Sequence, residues 1–291
     1  MTRWLVTGAG GMLGRDLVAV LARHGEVTAA DRARLDITDP TAVADAVAGH
    51  DLVLNAAAWT DVDGSESQEA AATAVNGEAV AGLARACAAT GAALIQISTD
   101  YVFDGTATEP YAEDAPTGPI NAYGRSKLAG EQAVRRLLPT AGYVVRTSWL
   151  YGRHGRSFVG TMIRLARRGG PVEVVADQYG QPTWTWALAT QLAALGEAIG
   201  QRAAPPGIYH GTAAGQTTWY ELAKAVFAGV GADPDLVRPT TAARYGSPTR
   251  RPAYSVLGHR RWSAAGVAVQ PPWQRQLSDA LSAGQLATAA N

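Results

Sequence analysis

Short apolar runs and longer stretches of helical spacing alternate along the first half of this chain. The runs Trp4–Thr7, Val27–Ala30, Leu52–Asn55, Ala93–Ile97 and Tyr143–Arg146 predict strands. Leu-Val-Leu at 52–54 and Ala-Leu-Ile-Gln-Ile at 93–97 show almost no polar alternation. That is the pattern of strands covered on both faces. Between them Met12–Arg23, Thr41–Val47, Gln68–Ala89 and Ala122–Leu137 predict helices. Strand and helix in turn point to an α/β fold, a parallel sheet with helices packed on it. After about residue 150 the pattern loosens and Pro and Trp become more frequent. Helices are expected near Phe158–Arg167, Trp186–Ile199, Trp219–Val230 and Trp273–Ser282. We therefore expect two parts, 1–149 and 150–291, with some later segments returning to the first part's sheet. The end of the chain, Gln285–Asn291, is expected to be a frayed tail.

The first strand runs into Thr7-Gly8-Ala-Gly10-Gly11-Met12-Leu13-Gly14, which opens the first helix. Glycines there let the backbone turn tightly and approach a pyrophosphate, whose charge meets the helix N-terminus. This refines the expected fold to a Rossmann-type doubly wound parallel sheet with a smaller, irregular C-terminal substrate domain. Gly8, Gly10, Gly11, Met12, Leu13 and Gly14 are the expected cofactor contacts. Asp31 follows the second strand, where a carboxylate can accept from ribose hydroxyls and favour NADH. Arg32 and Arg34 beside it could instead meet the 2′-phosphate of NADPH, so both cofactors stay open. Asp36, Ile37 and the third strand's end, Asn55, Ala56, Ala57 and Ala58, complete the cofactor set. The small alanines would let a dinucleotide lie against the backbone.

Composition removes several function classes. The 291 residues carry 25 basic and 25 acidic side chains, a net charge of zero. Such a balance offers no electrostatic footprint for nucleic acid or an anionic membrane. No charged-then-apolar leader precedes the first strand and no apolar run reaches spanning length, so a cytoplasmic protein is expected. The single cysteine, Cys87, lies in a helical run and reads as a small packing residue. The five histidines have no ligand-like spacing, and no metal site is assigned.

The chemistry is carried by Tyr123-Gly-Arg-Ser-Lys127, which puts a phenol and an ammonium one helical turn apart. A nearby cation favours phenolate and would lower the tyrosine pKa from its usual value near ~10. Ser98-Thr99-Asp100-Tyr101-Val102-Phe103 ends the fourth strand, on the same crevice as the glycine loop. Strand alternation lets only one of Ser98 and Thr99 face that crevice. With these motifs the chain resembles the extended short-chain dehydrogenase/reductase family, most closely its dTDP-4-dehydrorhamnose reductase branch. The ordered set continues through Asn55-Ala-Ala-Ala-x-Thr-x-Val-Asp63, Arg146-Thr-Ser-Trp-Leu-Tyr151, Asp177-Gln-x-Gly-x-Pro-Thr183 and Arg250-Arg-Pro252.

The resemblance implies NADPH- or NADH-dependent reduction of the C4 keto group of dTDP-4-dehydro-β-L-rhamnose. It implies catalytic roles for three residues. Tyr123 would protonate the keto oxygen, Lys127 would lower the phenol pKa and hold the nicotinamide ribose, and Thr99 would hydrogen-bond the same oxygen. Thr99, Asp100 and Trp149 match substrate-contacting positions, and Arg250 and Arg251 would meet the nucleotide diphosphate. The family's acidic metal positions find no match here, which leaves magnesium and a homodimer open. Trp59 stands where the family usually has a histidine or tyrosine.

Three kinds of alternative stand beside this reading, the first being another nucleotide-sugar enzyme on the same fold. A 4,6-dehydratase would need a glutamate where Tyr101 stands, and a 4-epimerase would show no net cofactor oxidation. A ketoreductase for a different dTDP-deoxysugar, in natural-product glycosylation, would share every motif above. A non-catalytic NADP-binding regulatory subunit would have no need of Thr99, Tyr123 and Lys127 together.

Overall fold

Strand β1 (Thr2–Thr7) feeds the glycine turn and helix α1 (Met12–Leu21) in the computed structural model, which describes residues 1–286. The expected tail therefore lies largely outside the described residues. The first half continues with β2 (Gly25–Ala30), α2 (Pro40–Val47), β3 (Leu52–Asn55), α3 (Val62–Ser67), α4 (Glu69–Thr73) and α5 (Ala79–Thr90). It ends with β4 (Ala93–Thr99), α6 (Ala122–Leu137) and β5 (Gly142–Thr147). The second half holds shorter elements. They are β6 (Leu150–Tyr151), α7 (Phe158–Arg168), β7 (Val172–Val175), β8 (Tyr179–Gly180), β9 (Thr183–Trp184) and α8 (Thr185–Gly200). Then follow β10 (Gly207–His210), β11 (Ala213–Ala214), β12 (Thr217–Thr218), α9 (Trp219–Gly229), β13 (Val237–Thr240), α10 (Ala242–Tyr245), β14 (Gln270–Pro272) and α11 (Trp273–Ser282).

Six strands form one parallel sheet in the order β10-β5-β4-β3-β1-β2. Each buried strand divides its side chains between two cores, as a period of two requires. Trp4, Val6, Leu54, Ile95 and Val145 meet Leu17 of α1 and Leu188 and Leu192 of α8 on one face. Leu5, Val53, Leu94 and Val144 meet Val43, Val80, Leu83 and Val134 on the other. The second half thus contributes β10 to the sheet and α8 to its covering layer. Much of the rest of that half packs around Tyr151, Ile163, Leu222, Phe227, Trp273 and Leu277, while Tyr254, Val256 and Leu257 pack against Phe103 and Tyr111 of the first half. Among the described residues no helix is long and apolar enough to cross a membrane.

The stretch expected as one helix over 68–89 is broken. A π-helical turn at Ala74–Glu78 joins α4 to α5 and swings Asn76 inward. Its amide accepts from the Trp59 backbone N–H (2.9 Å) and donates to the Trp59 carbonyl (3.1 Å) and to Ser126 Oγ (2.9 Å). Such turns recur at functional sites; this one pins the 56–59 segment to α6.

Helix α6 starts at Ala122 because the Asn121 side chain accepts from the Gly124 N–H (2.8 Å), a standard N-cap. Its docking is set by Glu131. Arg146 of β5 grips that carboxylate with Nε (2.9 Å) and Nη2 (2.8 Å), and Ser98 Oγ of β4 donates to it (2.6 Å). Both charges are almost fully buried, so each depends on the other for solvation. Arg146→Met should leave Glu131 unpaired and lower unfolding free energy by about 3–5 kcal/mol in urea titration. A loss under about 1 kcal/mol, the size expected of an exposed pair, would mean the bridge does not hold α6 in place.

Candidate active site

A cleft of about 1090 Å³ opens along the carboxyl ends of the sheet strands. One end of its floor is the glycine turn. Gly8 sits at φ +67°, and a Cβ there would lie 2.5 Å from the Ala57 backbone nitrogen. The turn is closed by the Gly11 N–H donating to the Gly8 carbonyl (3.0 Å). Helix α1 then begins with Gly11 as N-cap, no side-chain cap and no acidic residue in its first turn. Its opening N–H groups are thus free of side-chain partners and suit an anionic group. These features fit a dinucleotide pyrophosphate. Gly10, Gly11, Met12, Leu13, Gly14, Asp31, Arg32, Asp36, Ile37, Ala56, Ala57 and Ala58 all line the cleft. One Asp31 oxygen is occupied, accepting from the N–H groups of Ala33 and Arg34 (both 3.1 Å).

The chemistry-bearing groups meet at the ends of β4 and β5. Strand β4 runs two residues further than expected, to Thr99, which pairs in register with Thr147 of β5. Ser98 turns away to Glu131, so Thr99 is the hydroxyl beside Tyr123, close enough to hold the phenol pKa down in part. Thr99 Oγ1 also donates to Asp100 Oδ1 (3.0 Å) and accepts from the Tyr101 N–H (3.1 Å). The Tyr101 ring stands edge-on to Tyr123, with centroids 6.0 Å apart. Lys127, one turn after Tyr123, donates from Nζ to the Ile97 carbonyl (2.7 Å).

Burial governs the titration of this group. The Tyr123 phenol is pushed above its ordinary value by burial and by the Asp100 charge, and the Thr99 hydrogen bond only partly offsets them. Lys127, expected to lower the phenol pKa, is not among the influences on it here; its ammonium donates to the strand-end Ile97 carbonyl. Lys127 itself is brought down to about 8 by burial, against the Glu131 charge. Burial raises Asp100 to about 7, with Ser255 and Thr99 hydrogen bonds opposing. Ser255 lies beside the carboxylate, yet Oδ2 has no partner of good geometry.

Trp149 lines the cleft with Thr99 and Asp100, but three expected contacts do not. Asn55 is buried behind it, where Oδ1 accepts from Thr7 Oγ1 (2.5 Å) and the Ala57 N–H (3.2 Å). Its carboxamide shapes the wall and does not face the cleft. Arg250 is exposed on a loop, its carbonyl accepting from Asn121 (3.1 Å). Arg251 also lies outside the lining; it pairs with Asp63 (3.0 Å) and contacts Ser247, Thr249 and Tyr101. Their partners Asn121 and Asp63 lie far away in sequence, which local motifs do not reveal. Conversely, Thr60, Thr147, Ser148, Gly155, Arg156 and Trp219 line the cleft without a role expected from the sequence, as do Trp59 and Tyr101, noted there only as departures from related enzymes. The glycine-rich basic run Gly152-Arg-His-Gly-Arg156 was the one available local signal.

Comparison with known proteins follows the same lines. The family model described as RmlD substrate binding domain matches residues 2–286. A dTDP-4-dehydrorhamnose reductase of Streptomyces griseus is 55% identical over 284 residues, covering 97% of this chain and 93% of that protein. A dTDP-4-keto-6-deoxy-D-glucose reductase of Streptomyces niveus is 50% identical over 281 residues, covering 96% of each. The crystal structure of dTDP-4-dehydrorhamnose reductase from Bacillus anthracis in complex with NADP superposes with a TM-score of 0.91 at 35% identity. It covers 97% of this chain and 99% of that one.

The raised Asp100 pKa carries a stability signature. A carboxyl whose folded pKa lies above its unfolded value contributes fully at low pH, and that contribution is lost as pH rises through the folded pKa. Asp100→Asn should therefore gain stability over the parent between pH 4 and pH 8, by on the order of a few kcal/mol. Parallel stability curves for the two proteins across that window would show that Asp100 ionises freely.

Proposed function

We propose a function from one premise: the chain belongs to the RmlD substrate binding domain family. It is an NAD(P)H-dependent oxidoreductase that reduces a dTDP-4-keto-6-deoxysugar. The sugar we assign is dTDP-4-dehydro-β-L-rhamnose, reduced at C4 to dTDP-β-L-rhamnose. The observation that carries this reading is the meeting of Thr99, Tyr123 and Lys127 in the cleft floored by the glycine turn.

The α1 N-terminus and glycine turn would hold the dinucleotide pyrophosphate, and Asp31 and Arg32 its adenosine ribose. When bound, the reduced dinucleotide supplies a hydride to C4. Tyr123 gives its hydroxyl proton to the carbonyl oxygen as negative charge develops there. A phenol pushed up by burial suits that task, because it keeps its proton until the oxygen becomes strongly basic. The Thr99 hydroxyl, beside the phenol, would turn its one proton from Asp100 Oδ1 to the same oxygen. Lys127, at about 8, remains mostly cationic at neutrality and adds positive charge to the floor. In this reading residues 1–149 serve the cofactor and 150–291 mainly capture the sugar nucleotide. A cytoplasmic location belongs to the proposal on the sequence pattern, and a homodimer on the resemblance.

A second substrate remains in view, a different dTDP-4-keto-6-deoxysugar, because a relative at 50% identity is named for the 6-deoxy-D-glucose series. A panel of dTDP-4-keto-6-deoxysugars, with NADPH oxidation followed and products resolved by NMR, decides between them. The assignment predicts fastest turnover of the rhamnose precursor; oxidation of cofactor by none of the panel would end the reductase reading. Tyr123→Phe should lose about 10²–10⁴ in kcat while still binding NADPH. Near-normal turnover by that variant would remove Tyr123 from the mechanism.

A further inference from the structure

Trp149 is one of two non-glycine residues among those described with a positive φ, at 45°. A bulky side chain rarely holds that conformation and keeps it only where its surroundings impose it. Three contacts impose it here. The Trp149 carbonyl accepts from the Thr183 N–H (3.2 Å). A Cβ on Gly180 would lie 2.5 Å from the Trp149 ring, so the indole rests directly against bare backbone. The Trp219 indole stacks on it with centroids 3.5 Å apart and planes within 10°.

Gly180 and Trp219 are themselves joined. Strands β8 and β12 pair antiparallel, with Thr217 opposite Gly180 and Thr218 opposite Tyr179. Trp219 follows immediately and starts α9, whose N-cap Thr218 accepts from the Glu221 N–H (3.1 Å). Phe158 backs the Trp219 ring at 4.6 Å. The two jaws around Trp149 are thus fixed to one another by a strand pair, and both indoles line the cleft.

We propose that Trp219 is a positioning residue which, with Gly180, clamps the Trp149 indole against the deoxysugar and so sets affinity for the sugar nucleotide. The inference rests on the reductase reading and goes further: it gives α9 and the β8–β12 pair a part in substrate recognition. Leu at position 219 keeps apolar burial but loses the flat face, whereas Phe keeps both.

The test is a cycle of wild type, Trp219→Leu, Trp149→Ala and the double variant, with Trp219→Phe as the conservative control. Wild-type turnover of dTDP-4-dehydro-β-L-rhamnose comes first; its absence overturns the reductase reading and the clamp with it. Given turnover, Trp219→Leu should raise KM for the sugar nucleotide about five-fold, the scale of one aromatic stack. Its kcat and its Kd for NADPH should stay within about two-fold of wild type. Trp219→Phe should restore KM, and Trp219→Leu should add nothing in the Trp149→Ala background. Additive effects in the double variant would overturn the clamp alone. So would equal behaviour of Leu and Phe, or a loss of NADPH affinity matching the rise in KM.

Discussion

The buried pair between Glu131 and Arg146 is the contact on which the placement of the chemistry depends. Tyr123, Lys127 and Glu131 are spaced four apart and form one stripe along α6. Each meets the end of β4 or β5: Glu131 at Ser98 and Arg146, Lys127 at the Ile97 carbonyl, Tyr123 at Thr99. Removing a charge from water is costly unless its partner is close and well aligned. The two-point grip of Arg146 therefore selects one rotation and one height for α6. The phenol inherits its position from that choice.

The same burial that makes the pair exacting also sets the protonation states. Tyr123 is held up, Lys127 down to about 8 and Asp100 up to about 7, each toward its neutral form. A low-dielectric pocket disfavours charge of either sign. In the proposed reduction the phenol delivers its proton to the oxygen of a carbonyl whose carbon receives the hydride, and for that task this is the useful direction. The lysine–tyrosine spacing read along the helix suggested a depressed phenol instead. Spacing shows which residues share a face; it does not show that the ammonium is directed to a strand-end carbonyl.

How much was legible follows from where each signal resides. The bounds of α6, β3 and α11 were readable because their determinants are local: an N-cap at Asn121, an apolar run of four, an amphipathic stretch opening at Trp273. The glycine turn was readable because a backbone conformation demands particular residues at fixed offsets. The π-helical turn at Ala74–Glu78 was not, since Asn76 makes it useful only through Trp59 and Ser126, distant in sequence. Likewise the ion pair of Arg251 with Asp63 and the stacking of Trp219 on Trp149 join residues distant in sequence and leave no local signal. Motifs located the glycine turn and the Tyr123–Lys127 helix; they located fewer of the residues on the cleft's far wall, because several loops assemble it.

A crystal structure with NADP⁺ and dTDP-β-L-rhamnose bound tests the central claim most directly. The account predicts the Tyr123 hydroxyl within hydrogen-bond reach of the sugar's C4 oxygen, with Thr99 on that same oxygen and the nicotinamide C4 facing the sugar carbon. A sugar seated away from Tyr123, with the phenol still enclosed by Thr99, Asp100 and Tyr101, would contradict it.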